Sequence, residues 1–401
     1  MLRKPYMRIP YTDVLAPPTV TPRSANTLRG AVAALHDFFA APTPRGSPAS
    51  ALVLTGAGIS VASGLADYRG TNGTYRVNKT YRPIYYSEFL QNHEARKRYW
   101  ARSFLGWTTL HKAKPNAGHY AVKHLGDLGL VQKVITQNVD SFHPKAHPQI
   151  PTIELHGYLR ALVCVSCHHE LPRDVFQDEL ARLNPAWASF LQEIIASGAL
   201  DTENPEERRK RGMRTNPDGD VDLPDAPYTT FRYPACPRCL AHPPKLTEGT
   251  RATVEVDTDG AWKSGSNAGI LKPAVTMFGE SIRGQTKIDA DHAVEAADKL
   301  LVLGTSLATY SAWRLAKRAK DRGIPIAIVN LGGVRGEETF FTNLDALQKG
   351  AQGARIDMST DALLPALVEE LRLGARAQQA QESIDHSPEE HGASVFKDMM
   401  S

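Results

Sequence analysis

The chain has little of three things, and each scarcity excludes something. No uninterrupted apolar run reaches about 18 residues, so a membrane span is not expected. Neither sign of charge dominates: 47 Lys and Arg stand against 43 Asp and Glu, a net of +4 over 401 residues. So small a bias gives no electrostatic case for nucleic acid as a partner. Cysteine is scarce, with four in all at Cys164, Cys167, Cys236 and Cys239. Four in so long a chain do not make a disulfide scaffold, and two C-x-x-C pairs read as a metal site. What remains is ordinary. Hydrophobic residues make up 42% and charged residues 22%, which excludes disorder throughout and suffices for a large core. The length implies two or three domain units.

Residues 1–25 carry Arg3, Lys4, Arg8 and Arg23 against one acid, Asp13. That composition suits mitochondrial import. Pro5, Pro10, Pro17, Pro18 and Pro22 would interrupt a presequence helix, so an ordinary extended arm is the alternative. Leu28, Val32, Leu35 and Phe39 share one helical face. Residues 51–54 form a short apolar run entering Thr55-Gly-Ala-Gly58, a buried strand with a glycine turn. Further runs at 130–135, 300–303 and 324–329 end at Thr136-Gln-Asn-Val-Asp140, Gly304-Thr-Ser306 and Asn330. Strands that finish in small or polar residues describe an α/β fold. The expected form is a Rossmann-like parallel sheet with its ligand crevice at the strand C-termini.

The middle differs. Residues 158–270 hold both cysteine pairs and two polar stretches, 201–225 and 241–269, with no sustained periodicity; both stretches are expected to be surface insertions. The expected layout has an arm at 1–25 and the first part of the sheet domain at 26–157, with a helical small-domain segment near 72–115. A smaller zinc-binding domain is inserted at 158–270, the sheet domain resumes at 271–375, and a disordered tail covers 376–401.

Gly56 and Gly58 can bring backbone N–H groups close to phosphates. A plain turn explains them equally well. The dinucleotide fingerprint of dehydrogenases fails, because Val61 replaces its third glycine and no acid follows at the expected distance. Gln137, Asn138 and Asp140 directly follow an apolar strand, a usual place for ligand contacts, with an Asx-type turn as the alternative. The cysteine pairs are the strongest signal. Two thiolate turns complete a tetrahedral Zn2+ shell with no position left for water, so the metal is expected to be structural. Redox disulfides or buried thiols are the other readings.

Gly56-Ala-Gly-Ile-Ser60 with Ser63-Gly-Leu-Ala-Asp-Tyr-Arg69 resembles the first signature of the sirtuins, NAD-dependent protein deacylases. Thr136-Gln-Asn-Val-Asp140, Leu155-His-Gly157, the cysteine pairs, Phe278-Gly-Glu280, Gly304-Thr-Ser306 and Val329-Asn330 follow in that family's order, over roughly residues 28 to 370. Tyr68, Tyr81-Arg-Pro-Ile84 and Arg98-Tyr-Trp-Ala-Arg-Ser-Phe104 look like the class II, sirtuin-4-like branch, which is mitochondrial. The resemblance thus favours the mitochondrial matrix as the location.

The resemblance implies an NAD site and a mechanism. The NAD pyrophosphate would lie over Gly56, Ala57, Gly58, Gly304, Thr305 and Ser306, with the adenosine ribose near Asn330, Leu331 and Gly332. Leu65, Asp67, Tyr68 and Arg69 would cover the nicotinamide end, Asn138, Val139 and Asp140 would line the nicotinamide pocket, and Gln137 would hold the ribose. The acyl-lysine oxygen would displace nicotinamide, and His156 would deprotonate the neighbouring ribose hydroxyl. An ordinary imidazole pKa of about 6.5 leaves that base largely neutral. Asn138 joins His156 in the implied catalytic pair. Acyl-lysine protein substrates would dock as an added strand along Phe278, Gly279 and Glu280. Tyr99 and Arg102 lie three apart, and a related branch uses such a pair for acidic acyl chains; Arg102 either meets a carboxylated acyl group or, the alternative the residues favour slightly, is a surface or core-capping arginine.

Some residues depart from the family pattern. Ala66 replaces a usual Pro, Ala274 a usual Asp and Met277 a usual aromatic, while Phe142 and His147 alter the stretch after the Gln-Asn motif. Two other functions remain open: a mono-ADP-ribosyltransferase using the same crevice, and a non-catalytic NAD-sensing or scaffold protein.

Overall fold

The structure, a computed structural model, describes residues 15–43, 50–78, 81–198, 214–215, 220–223, 225–246, 249–342, 344 and 350–385. In chain order its strands are β1 (Ala51–Thr55), β2 (Val131–Thr136), β3 (Thr152–Glu154), β4 (Gly157–Cys164) and β5 (Glu170–Pro172). They continue with β6 (Arg214–Thr215), β7 (Val221–Asp222), β8 (Leu271–Val275), β9 (Lys299–Leu303), β10 (Ile326–Val329) and β11 (Gly353–Ile356).

Six strands make one sheet in the order β11-β10-β9-β1-β2-β3, with every neighbouring pair parallel. From β1 the chain moves outward to β2 and β3, then returns on the other side as β9. That reversal opens a crevice above the C-terminal ends of β1 and β9, the usual ligand position in such sheets. The four apolar runs of the sequence are β1, β2, β9 and β10.

Helices cover both faces, which explains why the central strands β1, β9 and β10 are buried at every position. Val53, Leu301, Ala327 and Ile356 pack with helices Leu28–Ala40, Ala117–Asp127 and Thr360–Asp385. Leu52, Leu54, Leu300, Val302 and Ile328 pack with helices Gly284–Ala296 and Tyr310–Asp321. In the first helix Val32, Leu35 and Phe39 are buried as their spacing predicts, whereas Leu28 is half exposed. The buried Lys299 ammonium donates to the carbonyls of Phe38, Phe39 and Ala41, satisfying that helix's C-terminal end.

A second lobe is built on the antiparallel sheet β5-β4-β8. Its core gathers Trp100, Phe104, Phe176, Phe231, Tyr233 and Trp262 with Cys164, Cys236 and Cys239. The expectation of two surface insertions needs correction. Residues 201–213 lie outside the described residues, but Val221 is buried in this core, and so is Trp262 from the second stretch. Trp262 stacks on Tyr233 at 5.9 Å and lies under Arg96 at 4.6 Å. Single aromatic anchors carry no periodicity, so a pattern search passes over them.

The chain ends also differ from expectation. Thr21 and Arg355 exchange backbone hydrogen bonds of 3.0 and 2.7 Å, so the arm is tied to β11 where it is described. The last helix runs to Asp385, into the stretch that composition marks as tail. No helix among the described residues is long and apolar enough to cross a membrane.

Candidate active site

The end of β1 and the end of β9 meet through glycine. Gly58 N–H donates to the Gly304 carbonyl at 2.8 Å, and Gly304 has φ 58°. A Cβ on Gly58 would sit 2.7 Å from that carbonyl oxygen, and one on Gly304 would sit 2.3 Å from the Ile59 nitrogen. Neither loop tolerates a side chain here, so these glycines first serve the close approach of two backbones. The result is a cradle floored by main chain and rimmed by Thr305 and Ser306.

The motif after β2 fills the next side of the cradle. Gln137 Nε2 donates to Thr305 Oγ1 at 2.9 Å and to the Thr55 carbonyl at 3.1 Å. Asn138 Nδ2 donates to the Gly56 carbonyl and to Ser60 Oγ, both at 3.1 Å. The Ser60 hydroxyl in turn donates to Asp140 Oδ2 at 2.7 Å, while Phe142 N–H donates to Oδ1 at 2.9 Å. Burial raises the Asp140 pKa, and those two donors oppose the rise. Val139 packs beside Leu65, Phe142 and Leu159. Asp67 folds its own loop by accepting from Gly70 N–H at 3.0 Å; burial raises its pKa against that bond and nearby Arg76 and Arg69. Tyr68 lies between Tyr75 at 5.4 Å and Phe278 at 6.4 Å, and Arg69 covers the Tyr75 ring at 5.1 Å.

His156 stands at the centre. Its Nδ1–H donates to the Gln137 carbonyl at 3.0 Å, which leaves the lone pair on Nε2; Ser311 Oγ lies 2.8 Å from that nitrogen. Burial lowers its pKa to about 4, against the Gln137 bond that works to raise it. The expectation of an ordinary imidazole is therefore corrected: the half-buried ring is neutral well below pH 6.5 because burial disfavours its charged form.

At the adenosine end expected from the sequence, Asn330 Nδ2 donates to the carbonyls of Leu331 and Gly332 at 2.9 and 3.2 Å. Leu331 itself is 62% exposed. Sequence reasoning missed the residue that holds this loop. The fully buried Arg355 donates to the carbonyls of Asn330, Gly332 and Ile356 and pairs with Glu337 at 2.5 Å. It also missed Ser60, Thr309 and Ser311. A single hydroxyl near a strand's end carries no pattern that separates it from any other.

The expected peptide strand is partly engaged already. The Phe278 carbonyl accepts from Tyr86 N–H at 2.9 Å, and Glu280 accepts from Met277 N–H at 2.9 Å and pairs with Lys272 at 3.2 Å. Gly279 turns the chain with φ 82°. The structure does not leave Arg102 waiting for an acyl carboxylate. Its guanidinium meets Asp220 at 2.8 Å, with Asp222 at 3.9 Å, and it faces the Tyr81 ring. Tyr99 packs on Phe89 and Trp100 in the lobe core.

The four cysteines, all free, bring their sulfurs within 4.8 Å of one another. Cys164 and Cys239 are 3.5 Å apart, and Cys167 and Cys236 are 3.7 Å apart. A tetrahedron with Zn–S bonds of about 2.3 Å has edges of about 3.8 Å, so the donor set and its size fit one zinc ion. Disulfides would need sulfurs at about 2 Å and are not formed.

A family model described as Sir2 family matches residues 56–311. The NAD-dependent protein deacylase SIR4 of Batrachochytrium dendrobatidis is 39% identical over 292 residues, 72% of this chain and 82% of that protein. The Bos taurus NAD-dependent protein lipoamidase sirtuin-4, mitochondrial, is 33% identical over 296 residues, 74% and 78% of the two chains. The solved structure of a Sir2, p53 peptide and NAD+ complex has a TM-score of 0.50 at 21% identity, covering 81% of this chain and 94% of that one; it bears on the fold. The order of motifs and the extent of these matches agree, and the chain belongs to the Sir2 family, the sirtuins.

Proposed function

We infer that the protein is an NAD-dependent protein-lysine deacylase that moves the acyl group from lysine to ADP-ribose and releases nicotinamide. The observation that carries this reading is His156. Its Nδ1 is committed to the Gln137 carbonyl, so Nε2 carries the lone pair and acts as an acceptor, from Ser311, inside a crevice lined by Gln137, Asn138 and Thr305. Family membership and the deacylase names of the relatives support it.

NAD supplies an electrophilic ribose carbon once nicotinamide leaves. The glycine cradle and Thr305–Ser306 hold the pyrophosphate, and Asn330 holds the adenosine ribose, in a loop braced by Arg355. Asn138 and Asp140 line the nicotinamide side, kept in place by Ser60. Asp67, Tyr68 and Arg69 close over it and exclude water, which strengthens every polar contact inside. His156 Nε2 takes the ribose hydroxyl proton, and the neutral ring is ready to do so at any physiological pH. The acyl-lysine peptide lies along Gly279 and the loop after Ser306. The Cys164, Cys167, Cys236 and Cys239 site takes one structural zinc ion. The mitochondrial matrix is the proposed location, supported by the acid-poor first 25 residues and the bovine relative's name.

The test is to incubate the protein with NAD and acetyl, lipoyl and glutaryl-type lysine peptides, then analyse the products by mass spectrometry. Free lysine, nicotinamide and acyl-ADP-ribose are expected in equal amounts. ADP-ribosylated protein instead makes the chain a mono-ADP-ribosyltransferase, and no NAD consumption with any peptide makes it a non-catalytic NAD-binding protein.

A further inference from the structure

The loop after Ser306, running into the first turn of a helix, touches both side chains proposed to handle the ribose, Gln137 and His156. It begins at Leu307, a non-glycine residue with φ 49°, whose N–H donates to Thr305 Oγ1 at 3.1 Å. Two residues on, the Thr309 hydroxyl donates to Gln137 Oε1 at 3.1 Å. Since the Gln137 amide nitrogen already donates to Thr305 and Thr55, Thr309 fixes which end of that amide faces which way. Two residues further, Ser311 Oγ lies 2.8 Å from His156 Nε2. Nδ1 is the donor to Gln137, so Nε2 is the acceptor and the serine hydroxyl donates to it.

We propose that Ser311 is a positioning residue for the His156 base: its hydroxyl fixes the ring's tautomer and rotation, keeping Nε2 aimed where the ribose hydroxyl arrives. The inference rests on the reading of His156 as the base. Ser311 suits the task because it does not sit on a mobile tip. It lies in the first turn of helix Tyr310–Asp321, and Ala312, Leu315, Ala316 and Ala319 bury that helix against the sheet. A hydroxyl mounted on a packed helix holds an imidazole more tightly than one on a free loop. The imidazole ring is thus fixed at both nitrogens, by main chain at Nδ1 and by a side chain at Nε2. When the ribose hydroxyl reaches Nε2 it takes the place of the serine hydroxyl, and its proton passes to the nitrogen as its O–H bond breaks. The same loop is the proposed wall of the peptide site, so a bound peptide would press on the segment that orients the base.

The test separates two steps in the full-length protein. Exchange of labelled nicotinamide into NAD, in the presence of acyl peptide, reports chemistry before His156 acts; formation of free lysine reports chemistry that includes it. Ser311→Ala is expected to retain exchange within twofold of wild type and to lose about tenfold in product formation. Ser311→Thr, which keeps the hydroxyl, should recover most of that loss. Equal losses in both steps would mark a structural role and overturn the proposal, as would unchanged or faster product formation. If Ser311→Ala melts lower than wild type, Ser311→Thr against Ser311→Val decides, since the two have the same shape and only one carries the hydroxyl. His156→Ala runs in parallel. If it keeps forming product at the wild-type rate, His156 is not the base, and the proposal for Ser311 falls with it.

Discussion

The Arg102 guanidinium and the Asp220 carboxylate meet at 2.8 Å with 7% and 8% of their side chains exposed. The carboxylate that Arg102 takes thus comes from this chain, from the far end of a polar stretch that folds back into the small lobe. A buried pair of this kind is costly to break from one side, because the remaining charge keeps its desolvation penalty and loses its partner. Arg102→Ala should therefore cost about 3 kcal/mol of stability, while Arg102→Ala with Asp220→Ala should recover a large part of it. Urea melts of the three proteins check this. The acyl-peptide panel adds a second reading: wild type should show no preference for glutaryl-type chains, because their carboxylate finds Arg102 occupied. A wild-type preference for them that Arg102→Ala abolishes would contradict the assignment.

Three histidines lie buried beneath the Gln-Asn motif. His147 donates to His143 at 2.8 Å, His143 to Thr55 at 2.9 Å, and Thr55 to Thr136 at 2.9 Å, an order of protons that satisfies each link. The His119 ring lies 5.0 Å from the His143 ring. His119 Nε2 and His147 Nδ1 are buried with no hydrogen-bond partner among the described residues. Burial lowers all three pKa values, that of His119 to about 3, helped by neighbouring rings for His119 and His143 and by Lys123 for His147. The folded protein then binds fewer protons than the unfolded chain below pH 6.5, so stability falls with pH from there down. At pH 5 His119 alone accounts for about 2 kcal/mol. Calorimetry at pH 7, 6 and 5 should show a falling melting temperature, with a smaller fall in His147→Asn. A melting temperature constant over that range would contradict this account.

His156 gives a different dependence on pH. As the proposed base it must be neutral to take a proton, and its pKa of about 4 keeps it so down to that value. The kcat/KM profile should therefore show no acid step near pH 6.5 and should hold until the protein itself begins to unfold. Initial rates in short assays from pH 8 to 5, with circular dichroism on the same samples, check this. A half-maximal rate near pH 6.5 in protein that is still folded would mean that the ring is solvated in the working enzyme.

The parts legible from sequence are those where one physical need dictates residue type. Apolar runs ending in Thr136-Gln-Asn-Val-Asp140 or Gly304-Thr-Ser306 mark buried parallel strands with polar ends, and they stand where expected. The edge strands were not legible. β3 is three half-buried residues, Thr152 to Glu154, and β11 carries Arg355 at a core position. An arginine argues against burial unless its partners are known, and these are three main-chain carbonyls and Glu337. Asp220 and Trp262 hid in the same way. Each is buried through a partner far along the chain, Arg102 in one case and Tyr233 in the other.

The cysteine cluster bears on His156 through two strands. β4 starts at Gly157, next to His156, and ends at Cys164; β8 lies beside it, and Thr276 just past its end donates to the His156 carbonyl at 2.7 Å. A metal ion at one end of β4 would thus hold a lobe whose other end carries the proposed base. With four sulfur ligands a zinc ion here would have no position left for water or substrate, so the proposed role of the site is structural. Such an ion would stabilise the fold, because Cys164, Cys236 and Cys239 lie in the lobe's apolar core, where thiolates without a cation would be costly. One zinc per chain is expected by elemental analysis. Removing it with a chelator should lower the melting temperature and loosen the tryptophan environment at Trp100 and Trp262, with deacylation lost in parallel and never before. Protein that is stripped of metal yet remains folded and active would show that the thiols alone suffice.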